Sequence, residues 1–149
     1  MSKNRLEELK DEFELKSKDV ADYLNVAKST YSEWEHNKIP IPTRRIIQLA
    51  NFYKVNIDYM LNKTTERIII NGNSEINLIK IGKNIKSIRH DLKLSLREIG
   101  EKLNCSFSSF AAYERGEKLI TSELLLSLCA ISGYSIDWVL CRTNNKIEK

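Results

Sequence analysis

Apolar residues recur at helical spacing through most of the chain. Leu6, Leu9 and Phe13 lie three and four positions apart and predict a first helix. A second helix follows over about 17–23. A third runs over about 28–36, with Tyr31 and Trp34 on one face. The segment Ile39-Pro40-Ile41-Pro42 ends it, because proline lacks an amide donor and pushes its predecessor out of helical geometry. Ile46, Leu49, Ala50, Phe52 and Tyr53 mark a fourth helix. A fifth, short one starts after Asn56, a suitable N-cap, with Asp58 facing the positive end of the helix dipole.

The same pattern returns 79 positions later, where Asp58 falls on Asp137. Without a gap, Leu24 meets Leu103, Asn25 meets Asn104, Glu35 meets Glu114, Leu49 meets Leu128 and Ile57 meets Ile136. Leu9 with Ile88, Tyr31 with Phe110 and Trp34 with Tyr113 keep apolar character in register. Such self-similarity predicts two copies of one unit. In the second copy, Ser95 and Glu98 have capping-box spacing, and Ser106, Thr121 and Ser135 are N-cap candidates for the later helices. Its first helix is expected to begin near Ser74, since Ile76, Ile79, Ile85, Ile88 and Leu92 stay in phase. The expected organisation is a first domain over 1–64, a linker over 65–73, a second domain over 74–143 and a tail over 144–149. Asn71-Gly72-Asn73 is a turn signal. Ile68-Ile69-Ile70 fits either a brief extended segment or a contact between domains.

Residues 15–37 read LKSKDVADYLNVAKSTYSEWEHN, and residues 94–116 read LSLREIGEKLNCSFSSFAAYERG. Both resemble the Cro/C1-type, or XRE, helix-turn-helix family, whose pattern runs L-S-Q-x-x-L-A-x-x-L-G-V-S-x-x-x-I-S-x-x-E-x-G. Both also keep a downstream L-x-x-x-L and I-D-x-x-L tail. The resemblance covers nearly the whole chain outside the linker and the last residues. It implies an all-α fold of two tandem five-helix lambda-repressor-like domains. Ala21 and Gly100 supply the small residue where the second and third helices cross. Asn25 and Asn104 replace the turn glycine, a substitution that left-handed geometry tolerates. Val26 and Cys105 are expected to plug the turn into the core.

The resemblance also implies that the third helix of each copy enters a DNA major groove. In the first copy its outward face offers Ala27, Lys28, Ser29, Ser32 and Glu33. Lys28 suits guanine O6 and N7, the serines suit any base, and Glu33 suits cytosine N4. Ser17, at the start of the second helix, and Asn37 and Lys38, after the third, suit phosphate oxygens. The family's glutamine is missing at both matching positions, Ser17 and Leu96. In the second copy the outward face carries Ser106, Phe107, Ser108, Ala111 and Ala112, with Arg115 and Lys118 as phosphate candidates. Phe107 suits a thymine methyl or a protein partner. The family's helix-3 glutamate pairs with a base of helix 1, here Glu35 with Lys10 and Glu114 with Arg89.

Composition narrows the reading further. The net charge of +4 is compatible with nucleic acid. Residues 83–149 hold 11 basic and 8 acidic side chains, and residues 1–64 hold 11 and 10. Charge thus favours the second copy for general affinity, while side-chain chemistry favours the first for base reading. Three cysteines, Cys105, Cys129 and Cys141, suggest no disulfide framework; Cys105 and Cys129 read as buried thiols. Two histidines outside any cluster argue against structural zinc, and no cofactor motif appears. No phosphate-cradling loop or nucleophile–base set points to an enzyme. No leader or membrane span is expected, and the cytoplasm is the expected compartment. The expected function is a transcriptional repressor on double-stranded operator DNA, either a homodimer or a monomer acting as a pseudo-dimer. The alternative is a protein-interaction or antitoxin-like module in which the second domain mediates dimerisation or partner binding.

Overall fold

The computed structural model describes residues 3–72 and 75–146. The chain divides into two compact units, Met1–Ser74 and Glu75–Lys149. Among the described residues the first unit holds α1 (Leu6–Glu12), α2 (Ser17–Leu24), α3 (Lys28–Glu35), α4 (Thr43–Tyr53) and α5 (Ile57–Met60). The second holds α6 (Leu78–Asp91), α7 (Leu96–Leu103), α8 (Phe107–Glu114), α9 (Ser122–Ser132) and α10 (Ile136–Val139). The architecture is all-helical, as the periodicity predicts. No helix among the described residues is long and apolar enough to cross a membrane.

Each unit closes around the stripe that the pattern predicts. Leu6, Leu9, Tyr31, Leu49 and Ile57 are fully buried in the first, and Ile85, Ile88, Phe110, Leu128 and Ile136 in the second. The turn between the second and third helices is made the same way in both. Asn25 and Asn104 take φ of 57° and 55°, the left-handed region that asparagine tolerates. The Val26 amide then donates to Ala21 O and the Cys105 amide to Gly100 O. A side chain at Gly100 would put its Cβ 2.5 Å from Cys105 O, so the turn folds back against a residue that must stay small. Val26 and Cys105 are only half-buried, because the turn also meets solvent; Cys129 is the buried thiol.

Caps explain where the helices start in the second unit. Ser95 accepts the Glu98 amide while the Glu98 carboxylate accepts the Ser95 amide, closing the capping box. Ser106, Thr121 and Ser135 accept the amides of Ser109, Leu124 and Trp138. Helix α6 begins at Leu78 rather than near Ser74, which lies outside the described residues. Asn77 stops it there by accepting the Lys80 amide.

Two further expectations need correction. Phe13 is not part of α1. It follows the helix as its C-cap, 42% exposed, with its ring edge-on to Tyr53 at 5.2 Å. Asn56 precedes α5, but its side chain makes no cap hydrogen bond. It donates instead to Glu66 O and accepts the Ile68 amide. That diversion fastens an extended arm onto the first unit. The Asn56 amide donates to Ile68 O, the Ile70 amide to Lys54 O, and Val55 and Ile69 form an antiparallel bridge. At the matching place in the second unit, the Ser135 amide donates to Lys146 O.

Candidate nucleic-acid interface

Helix α3 has two chemically distinct faces. Tyr31, Trp34 and Glu35 point inward and are buried to 0%, 3% and 3% exposure. Ala27, Lys28 and Ser29 stand in solvent at its start, with Ser32 and Glu33 half-buried along the same side. Ser32 is tied to His36, whose Nδ1 contacts Ser32 O at 2.8 Å. The inward face fixes the helix. Lys10 Nζ of α1 donates to Glu35 Oε1 at 2.9 Å and to Ser17 Oγ at 3.1 Å. One cation therefore pins α3 and the start of α2 together. The Ser17 hydroxyl keeps its own proton to donate outward.

The loop after α3 is similarly anchored. Asn37 takes φ of 58°, and its side-chain oxygen accepts Asn4 Nδ2, which also donates to Trp34 O. Lys38 is exposed beside it. The Asn37 carbonyl group thus serves the fold, and Lys38 is the member of the pair that stands exposed. Sequence reading missed Lys10 as the organiser of Ser17. It also missed Arg45, which donates to Leu24 O at the end of α2. Both are visible only once the helices are packed.

Helix α8 presents a different surface. Ser106 is exposed, but its hydroxyl is engaged with the Ser109 amide and hydroxyl. Phe107 is 54% exposed, with the Arg97 guanidinium 5.7 Å from its ring centre. Ser108 is exposed and Ala112 half-buried. Arg115 is ion-paired with Glu117, which holds the Glu117 carboxyl below its usual range. Lys118 is exposed and lies over the Tyr113 ring at 5.1 Å. Phe107, Arg97, Gly100, Glu101, Asn104, Cys105 and Ser106 line an open depression of about 350 Å³. Burial raises the Cys105 thiol pKa there.

The ion pairs beneath the two helices match in place but not in chemistry. Arg89 of α6 takes both Glu114 oxygens, at 2.6 and 3.1 Å, and also donates to Leu94 O. Lys10 takes one oxygen of Glu35. Glu35 Oε2 and the Tyr31 and Tyr53 hydroxyls are buried without a hydrogen bond in good geometry. They lie close enough to interact: burial, then Tyr53 and Glu35, raise the Tyr31 phenol, and burial pushes Tyr53 up to about 12. Glu7, Glu35 and His36 bring ligating atoms within 4.8 Å of one another. Lys10 at Glu35 and Lys3 at Glu7 already supply positive charge to this group, so it reads as an ion-pair network.

A buried helix pair joined by a tight left-handed turn, with the second helix offering a polar outer face, defines a helix-turn-helix domain. Residues 4–66 match the family model described as "Helix-turn-helix domain". Two crystal structures of the clp gene regulator ClgR from Corynebacterium glutamicum are similar at 36% sequence identity, each with a TM-score of 0.39. One match covers 43% of this chain and 68% of that chain; the other covers 46% and 90%. No curated protein matches.

Proposed function

We propose that this chain is a sequence-specific double-stranded DNA-binding transcription regulator, acting as a cytoplasmic repressor, with α3 as the principal reading helix. The observation that carries this reading is α3 itself. Inside a segment that matches a helix-turn-helix family, it is locked by Tyr31, Trp34 and the Lys10–Glu35 pair, and it leaves Lys28 and Ser29 exposed. Lys28 and Ser29 would meet base edges, and Ser17 and Lys38 would meet phosphates. The second unit is read as another copy of the domain, supported by its five helices in the same order and by its matching turn at Asn104. A chain with two such units would act as a pseudo-dimer, or as a longer reader if copies pair. The stoichiometry of the complex distinguishes these.

Selection of bound fragments from random duplex DNA supplies the operator, and fluorescence anisotropy against salt concentration tests the contact. Log affinity should fall linearly with log salt. Lys28→Ala should cost about 1–3 kcal/mol and relax the base preference at one position. Absence of duplex binding at low salt would overturn the reading.

The exposure of Phe107 favours a second reading for unit two, in which α8 contacts protein rather than DNA. Phe107→Glu would then abolish self-association while DNA binding through α3 persists.

A further inference from the structure

The second unit carries a cluster that the DNA reading does not use. Lys146 Nζ lies 3.2 Å from Asp91 Oδ2 and 5.2 Å from the ring centres of both Tyr134 and Trp138. The two rings stand at 88° to each other with centres 5.7 Å apart, so they form two walls of a corner. The Tyr134 hydroxyl donates to Asp91 Oδ2, which fixes the carboxylate as the third wall. An ammonium over aromatic faces is attracted by the ring quadrupoles, and a carboxylate completes the charge match.

The first unit shows what the corner selects. Under the same 79-residue offset, Asp91, Trp138 and Lys146 correspond to Glu12, Tyr59 and Arg67. Arg67 meets Glu12 through two parallel bonds of 2.7 and 2.6 Å and lies 5.6 Å from the Tyr59 ring centre. Val55 stands where the second unit has Tyr134. With one aromatic wall, the planar guanidinium fork suits the carboxylate. With two perpendicular walls, the occupant is a compact ammonium.

We infer that Asp91, Tyr134 and Trp138 form a binding seat for an alkylammonium group, filled in this structure by Lys146 of the same chain. The chemical class it accepts is a lysine-type or methylated ammonium. Lys146 is a tethered competitor whose effective concentration, on the order of millimolar for a short connection, keeps a weak external ligand out. Its side chain is 39% exposed, so it can be displaced without opening the core.

The test uses the full chain with Lys146→Ala, titrated with tetramethylammonium chloride against sodium chloride at matched ionic strength. Trp138 is half-exposed and Trp34 is buried, so indole emission reports the seat. The Lys146→Ala chain should give a saturable change specific to tetramethylammonium, at a concentration roughly tenfold or more below that needed for the unaltered chain. Adding Tyr134→Leu or Asp91→Asn should weaken the response, with far-ultraviolet circular dichroism confirming that each variant is folded. No saturable response in folded Lys146→Ala, or one indifferent to both added substitutions, overturns the inference.

Discussion

The two units solve one packing problem with different chemistry at matching positions. In the second, Arg89 satisfies both oxygens of Glu114, and the buried residue at the place of Tyr31 is the apolar Phe110. In the first, Lys10 satisfies one oxygen of Glu35 and spends another proton on Ser17, while Tyr31 and Tyr53 bring hydroxyls into the core beside the remaining oxygen. The second unit therefore has the better-satisfied interior. The first has the interior that reaches out to the start of α2 and the exposed polar face of α3. The comparison teaches that stability and surface chemistry are set by the same few side chains, and that the unit proposed to read DNA carries the more compromised core.

Substitutions can break or sharpen this contrast, with Trp34 and Trp138 serving as separate reporters during urea unfolding. The largest effect is expected from Glu114→Ala. It strands the Arg89 guanidinium at 12% side-chain exposure and should cost the second unit about 3–5 kcal/mol. Glu35→Ala should cost the first unit less, because Lys10 keeps Ser17 and an unsatisfied oxygen disappears.

Next is Gly82→Ala. The new Cβ would lie 2.4 Å from Glu114 O and 2.7 Å from Tyr113 O, both backbone atoms that cannot swing aside. The gain in helix propensity is under about 1 kcal/mol, so a net loss of about 1–3 kcal/mol is expected in the midpoint of the second unit.

Tyr31→Phe should stabilise the first unit by about 1 kcal/mol, since it removes a buried hydroxyl lacking a good hydrogen bond and copies Phe110. It also has a pH signature. Both phenols are raised in the folded state, so their stability contribution is complete below pH 10. It is lost as pH climbs through the folded values, which for Tyr53 is about 12. Removing Tyr31 should flatten this alkaline decline by about 1.4 kcal/mol per pH unit, measured by urea unfolding across that range. An unchanged slope would mean that Tyr31 ionises equally well in both states.

The smallest effect belongs to Asn25→Gly. Its φ of 57° already suits glycine, so the midpoint of the first unit should move by under about 1 kcal/mol.

Local chemistry was the legible part of this fold. The Asn25 and Asn104 turns, the Ser95–Glu98 box and the small residue at Gly100 follow from rules that act over a few residues. Periodicity also places the buried face of α3, and with it the outward position of Lys28. What sequence could not supply were contacts between distant segments. Asn56 looks like an N-cap until the arm at Glu66 and Ile68 competes for its side chain. Ser17 looks like an isolated phosphate contact until Lys10 is packed against it. Phe13 fits the helical period, yet it lies beyond the end of α1 and turns toward Tyr53. Arg115 reads as a phosphate contact, and only the structure shows Glu117 paired with it.

The gap-free register between the two units has a genetic corollary. An unequal crossover at an aligned pair such as Ile41 with Ile120 would join the front of one unit to the back of the other, and the bounds of α2 to α5 coincide with those of α7 to α10 under the offset. Hydrophobic volume would tolerate such a chimera at most aligned core positions, although buried Tyr53 falls on Ser132. The polar positions would be stricter: a junction inside the segment between α1 and α3 sets Lys10 against Glu114, or Arg89 against Glu35. Recombination would thus be filtered by a handful of hydrogen-bonding partners rather than by the fold.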